Sequence, residues 1–183
     1  MEHNPWITKK SEDVYESPWI KVVKHDVLNP AGKPATYSVV NFKNLAIGIL
    51  PIDNEGFTWL VGQWRYPLEE YCWEIPEGGG PLGIDPLDSA KRELKEETGI
   101  VAKDFQEIMR LHLSNSATNE LAIVYLAKNL DFESAEPEES EVLQVKRIHM
   151  NEAYDWVMTG KITDAISVAA ILKTKIMLEQ GLI

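Results

Sequence analysis

Cysteine is almost absent. Cys72 stands alone in the chain, which excludes an intramolecular disulfide and a cysteine-built zinc cluster. Its setting, EEYCWEIP, reads as a buried strand with an ordinary core thiol. No apolar run approaches the ~18 residues that mark a membrane helix. The opening MEHNPWITKKSEDVYES has no apolar core of a secretory signal, so a cytoplasmic location is expected. Basic residues are scarce too: 18 Lys and Arg face 29 Asp and Glu, for a formal net charge of −11. Such a chain lacks the broad basic face that grips a phosphate backbone, so nucleic acid is not an expected partner. An anionic substrate would need something positive to hold it. Internal repeats are missing, and the one low-complexity patch is DFESAEPEESE at 131–141.

What is present suits a single globular unit of 183 residues, 44% of them hydrophobic. Residues 19–42 read as two strands joined at Asn29-Pro30-Ala31-Gly32. NLAIGILPI (44–52), FTWLVGQWRY (57–66), YCWEIP (71–76), ELAIVYLAKNL (120–130) and EVLQVKRI (141–148) read as further strands. The signals predict a helix over 86–98, a second from an Asn151 cap to Gly160, and a third from about Asp164 to Glu179. For the third, Thr163 is the candidate cap, and Ala165, Val168, Ala169 and Leu172 form the apolar face. Strands and helices interleave without a regular βαβ rhythm, which predicts a mixed α/β or α+β layered fold.

The first helix carries the chemistry. Asp85 can cap it, Pro86 fits its first position, and Gly99 can end it in a left-handed conformation. Leu87, Ala90 and Leu94 give it an apolar face. Glu93, Glu96 and Glu97 crowd one surface at spacings of three and four, where like charges repel by a few tenths of a kcal/mol per pair. Two readings fit: a solvated charged face, or a site for a hard divalent cation.

The stretch before the helix favours the second. In WEIPEGGGPLGIDPLDSAKRELKEETGI a glycine-rich loop runs into the acidic helix, and this pattern resembles the Nudix hydrolases. Gly78 opens their box, and Arg92, Glu93, Leu94, Glu96, Glu97, Gly99 and Ile100 complete it at matching spacing. One position departs: Ile84 stands where the family has the first box glutamate, a residue that often pairs with the box arginine. Arg92 therefore needs another partner. The resemblance spans about residues 15–178 and is strongest over 61–100.

The resemblance implies an α/β/α sandwich around a mixed β-sheet, with an N-terminal antiparallel sheet (residues 1–43) used for dimerisation and a hydrolase domain over 44–183. It implies Mg²⁺, for which Mn²⁺ can substitute, held by the side chains of Glu93, Glu96 and Glu97 and by the backbone carbonyl of Glu77. The segment before the box is similar to that of ADP-ribose and nucleotide-sugar pyrophosphatases. Arg65 there matches an arginine that contacts the diphosphate; an ordinary ion pair is the alternative. Trp19 matches an aromatic that stacks on the base, or else is a packed strand residue. Glu120 is either close to the metals or a strand-edge acid. A general base is expected from the acidic loop, with Glu141 and Glu139 preferred over Glu138. The implied reaction splits ADP-ribose or another nucleoside diphosphate sugar into a nucleoside monophosphate and a sugar phosphate. Three alternatives stay open: a non-catalytic nucleotide-sensing module, a hydrolase of dinucleoside polyphosphates, and an acidic interaction protein.

Overall fold

The computed structural model describes residues 3–136 and 142–183. Its centre is a four-stranded sheet of order β7-β4-β9-β8, in which β4 (Asn44–Pro51) runs parallel to β9 (Leu121–Phe132). Strand β7 (Glu77–Pro81) and strand β8 (Ile100–His112) flank that pair in antiparallel register. Alternate residues of a strand face opposite sides, and here both sides are apolar. Ile47, Ile49, Ile123 and Tyr125 form one core with Ala90 and Leu94 of α1 (Pro86–Thr98). Leu50, Ala122, Val124 and Leu126 form the other, with α2 (Met150–Met158) and α3 (Ala165–Glu179). The result is a mixed α+β layered arrangement, as the interleaved pattern predicts. A second sheet, order β10-β5-β6, joins β5 (Phe57–Arg65) to β6 (Glu70–Glu74) and β10 (Gln144–His149). Among the described residues, no helix is long and apolar enough to cross a membrane.

Helix α1 begins and ends where its signals stand. The Asp85 side chain accepts from the Leu87 N–H at 3.0 Å, and Gly99 adopts φ 71° while its N–H donates to the Lys95 carbonyl. A Cβ at Gly99 would also lie 2.4 Å from the Glu133 carbonyl oxygen, so glycine is required twice over.

Several expectations need correction. The glycine-rich loop is strand β7. It pairs with β4 from Gly48↔Glu77 to Asn44↔Pro81, and its glycines make room for neighbours on both faces. A Cβ at Gly80 would lie 2.8 Å from Ile47. Neither strand β1 (Ile7–Glu16) nor strand β8 is announced by the sequence pattern. β1 is exposed at every position and so shows no apolar alternation, while β8 carries a bulge between Glu107 and Met109 that shifts its period. Helix α2 is capped by His149, whose Nδ1 accepts from the Asn151 N–H, and Asn151 itself lies inside. Helix α3 is capped by Asp164, not Thr163. Its buried positions are Ile166, Ser167, Ala170, Ile171, Thr174 and Met177. Ala165 is exposed, and Val168, Ala169 and Leu172 are half-buried. The helix is apolar around most of its circumference, so spacing alone did not single out the buried stripe.

The N-terminal sheet, order β1-β2-β3, pairs β2 (Ile20–Leu28) with β3 (Pro34–Phe42) across a turn at Gly32, φ 72°. Backbone bonds tie it to the loop before β9. The Val40 N–H donates to the Ala117 carbonyl, the Asn119 N–H donates to the Val40 carbonyl, and the Asn119 side chain accepts from the Phe42 N–H at 2.7 Å. These bonds carry Trp19 and Phe42 to the mouth of a cavity.

Candidate active site

Strand β7 separates two clusters, each built around an arginine. Glu93 lies against Gly78 so closely that a Cβ there would fall 2.2 Å from the Glu93 carboxyl carbon. Only glycine allows this contact. Glu97 is buried, and its Oε2 accepts from the Glu77 N–H at 2.9 Å. Arg92 lies across the outer face. It donates through Nη1 to Glu96 at 2.7 Å and through Nη2 to Glu93 at 2.6 Å and to the Gly79 carbonyl at 3.0 Å. These are the partners it takes where the box has Ile84, a half-exposed residue at 54%.

On the other side, Arg65 at the end of β5 reaches Glu74 and Glu77. Its Nε and Nη2 donate to the Glu74 carboxylate at 2.6 to 3.0 Å, and Nη2 also donates to Glu77 Oε1 at 2.8 Å. Burial opposes the guanidinium charge, but the bonds and charges of Glu74, with those of Glu77 and Asp164, outweigh it and hold Arg65 more firmly protonated than usual. Burial, followed by Asp164 and Glu74, pushes the Glu77 carboxyl well above its ordinary value, with Arg65 pulling the other way.

The Arg65 cluster lines a cavity of about 600 Å³, which the Arg92 cluster adjoins through Gly78 and Gly79. Trp19, Phe42, Leu45, Leu68 and Leu113 supply its apolar wall; Arg65, Glu74, Glu77, Glu120, Thr163 and Asp164 supply its polar wall. Gly78 and Gly79 form the edge shared with α1. Thus Trp19, Arg65, Glu77 and Glu120 come together, and Glu93 and Glu97 adjoin them through Gly78 and Glu77. Glu96 instead turns outward to Arg92. Glu138, Glu139 and Glu141 lie outside the described residues. A second cavity of similar volume is lined by Trp59, Phe132, Lys103 and Arg147. Both of its cations are already paired, Lys103 with Asp131 and Arg147 with Asp53 and Glu55.

Two residues of the polar wall were not singled out from sequence. Glu74 reads as a strand acid in YCWEIP; its alternation with Cys72 could have marked it as inward-facing. Asp164 carried a readable signal, an acid immediately before an apolar helix.

The residues fit a divalent cation. Among the described residues no three His, Cys, Asp or Glu already surround a common ion position. Yet Glu77 Oε2 is buried without a hydrogen-bond partner, a costly state that a cation or a donor would relieve. Every candidate donor is oxygen, the choice of hard cations.

The comparisons with known proteins point the same way. Residues 42–167 match the NUDIX domain, and residues 6–40 match the nucleoside diphosphate sugar hydrolase N-terminal domain. An ADP-ribose pyrophosphatase of Bacillus subtilis (strain 168) is 32% identical over 166 residues, 90% of this chain and 89% of that protein. A methanol dehydrogenase activator of Bacillus methanolicus is 30% identical over the same shares. An ADP-ribose pyrophosphatase of Mycobacterium tuberculosis is 29% identical over 94% of this chain and 84% of its own. A crystal structure of an ADP compounds hydrolase superposes with a TM-score of 0.87 over the whole of both chains, at 23% identity, a likeness of fold.

Proposed function

The chain belongs to the NUDIX family and is a hydrolase of that family, and from this premise we propose that it splits the diphosphate of ADP-ribose or a related nucleoside diphosphate sugar, with Mg²⁺ as the working cation. The products would be a nucleoside monophosphate and a sugar phosphate. The observation that carries the reading is one cavity in which an arginine, an exposed tryptophan and the junction of β7 with the acidic helix meet. Relatives named ADP-ribose pyrophosphatase over most of the chain support the substrate class.

Each residue has a physical task in this reading. The hydrogen bonds of Arg65 to Glu74 and Glu77 use Nε and Nη2. Its Nη1 edge is left to donate to diphosphate oxygens, where a charge-assisted bond is strong. Trp19, 67% exposed at the cavity mouth, offers a stacking face to a base. Glu93, Glu97 and the Glu77 carbonyl would hold the cation, with Glu96 joining once Arg92 lets go. A bound divalent cation supplies a more acidic water and stabilises charge on phosphorus. Glu141 or Glu139 would take the proton from the attacking water.

The test is direct. Purified protein with ADP-ribose and Mg²⁺ should yield AMP and ribose 5-phosphate, and chelation should stop it. No nucleoside monophosphate at high enzyme concentration would sink the reading. One observation favours a second reading, a nucleotide-sensing module: Arg92 holds two box acids at once. Binding of ADP-ribose without turnover would support it.

We also propose a homodimer formed through the N-terminal sheet and a cytoplasmic location. Ile7, Val14 and Tyr15 of β1 are all more than half exposed, an apolar surface that a second copy would cover. Sedimentation at micromolar concentration should give twice the chain mass.

A further inference from the structure

This inference deepens the sugar-nucleotide reading above and rests on it. Among the described residues, the cavity wall carries Arg65 against Glu74, Glu77, Glu120 and Asp164, and no lysine. Arg65 already answers Glu74 and Glu77. Glu120 and Asp164 form no ion pair among the described residues.

Asp164 caps α3, and a second bond ties the first turn of that helix to the chain before β7. Asp164 Oδ2 accepts from the Ser167 N–H at 2.7 Å. Ser167 is fully buried, and its Oγ accepts from the Ile75 N–H at 2.9 Å. The start of α3 is thereby pinned over the bend that carries Glu74 and Glu77. The charge of Asp164 reaches across the cavity: after burial, it is the group that raises the Glu120 carboxyl.

A diphosphate entering here is met by the Nη1 edge of Arg65 and by the cation. Any further negative charge on the substrate meets Asp164 and Glu120. Hydroxyl groups meet the same carboxylates as hydrogen-bond acceptors. We infer that the cavity selects sugar nucleotides whose only anionic group is the diphosphate, and that Asp164, seconded by Glu120, imposes the selection. Uronic-acid nucleotides, phosphorylated sugars and longer polyphosphates are the excluded class. A repulsion between like charges a few ångströms apart in such a partly wet site is worth about a factor of ten.

ADP-glucose and ADP-glucuronic acid differ by one carboxylate on the sugar, and they make the test. Both kcat/KM with Mg²⁺ and Kd by calorimetry are measured for the wild type and for Asp164→Asn. Asparagine caps a helix as well as aspartate, so the variant removes the charge and keeps the cap. The wild type should prefer ADP-glucose by about tenfold or more. Asp164→Asn should shrink that preference about tenfold, mainly by tightening ADP-glucuronic acid. Raising the salt concentration should narrow the wild-type preference, a readout that stands even if the variant does not fold. Equal treatment of the two nucleotides by the wild type overturns the inference. So does a preference untouched by both the substitution and salt. A shifted Kd ratio without any turnover supports the inference and removes the hydrolase reading. Failure to bind either nucleotide removes both.

Discussion

Arg65 and Arg92 each gather glutamates beside strand β7, one on either side of it, and the two clusters differ in how they are buried. The Arg65 side holds Glu74 and Glu77 with side chains 4% and 13% exposed. On the Arg92 side, the arginine is 42% exposed and Glu96 is 32% exposed, and only Glu93, at 12%, is as covered as Glu77. Removing a buried partner leaves a charge stranded away from water; removing an exposed one lets water replace it. The Arg65 cluster is therefore a fixed part of the cavity wall. Arg92, with its more exposed partner Glu96, can exchange partners, as Glu93 and Glu96 would have to if they took the proposed cation.

The largest effect expected from breaking this contrast is on chemistry. Glu97→Gln keeps an acceptor for the Glu77 N–H but removes a charge from the cation's donors. Turnover of ADP-ribose should fall by at least about a hundredfold, since a catalytic cation is worth several kcal/mol, with the melting temperature little changed. Next is Glu74→Ala. Stranding the partner of a buried pair costs about 3–5 kcal/mol, and water reaching the third of Arg65 that is exposed lowers this to roughly 2 kcal/mol. The melting temperature should then fall by about 4–8 °C in a chain of this size. A drop smaller than for Arg92→Gln would reverse the comparison.

The two clusters were not equally legible. The acids beside Arg92 stand on one helix, where the spacings of three and four among Glu93, Glu96 and Glu97 declare a shared surface by themselves. The other cluster draws Arg65 from β5, Glu74 from β6, Glu77 from β7 and Asp164 from the start of α3, and only tertiary packing joins them. Family likeness points to Arg65, and nothing comparable points to Glu74. Strand β7 was hidden for a related reason. Three glycines in a row read as a loop, yet they are what the strand needs for Glu93 and Ile47 to pack against it. The buried strands β4, β5 and β9 were plain because continuous apolar runs announce burial on both faces.

A third prediction concerns pH. The Glu77 carboxyl lies well above its ordinary value of 4.5 in the folded chain. Below that value both folded and unfolded chains hold the proton, so the residue has no effect. As pH rises past it, the unfolded chain releases the proton while the folded chain keeps it, and stability falls with a slope of at most about 1.4 kcal/mol per pH unit. The fall ends once the folded carboxyl also ionises. Denaturant melts of metal-free protein across this range should show the loss in the wild type, and Glu77→Gln should flatten it. Parallel curves for the two proteins would count against the burial of this carboxyl.

The smallest effect on stability should come from Arg92→Gln. Arg92 is itself 42% exposed, so water reaches its bonds to Glu96 and to the more buried Glu93 and holds them near the ~0–1 kcal/mol of accessible pairs; the melting temperature should move by no more than a few degrees. Cation affinity should respond more. The guanidinium pairs with two acids that the proposed divalent ion would also need, so ion and arginine would compete for the same oxygens. Removing the arginine should tighten Mn²⁺ severalfold, read by electron paramagnetic resonance of the free ion. Weaker Mn²⁺ binding would instead make Arg92 a support that holds Glu93 and Glu96 in position for the ion, and the contrast between a fixed and an exchangeable cluster would fail.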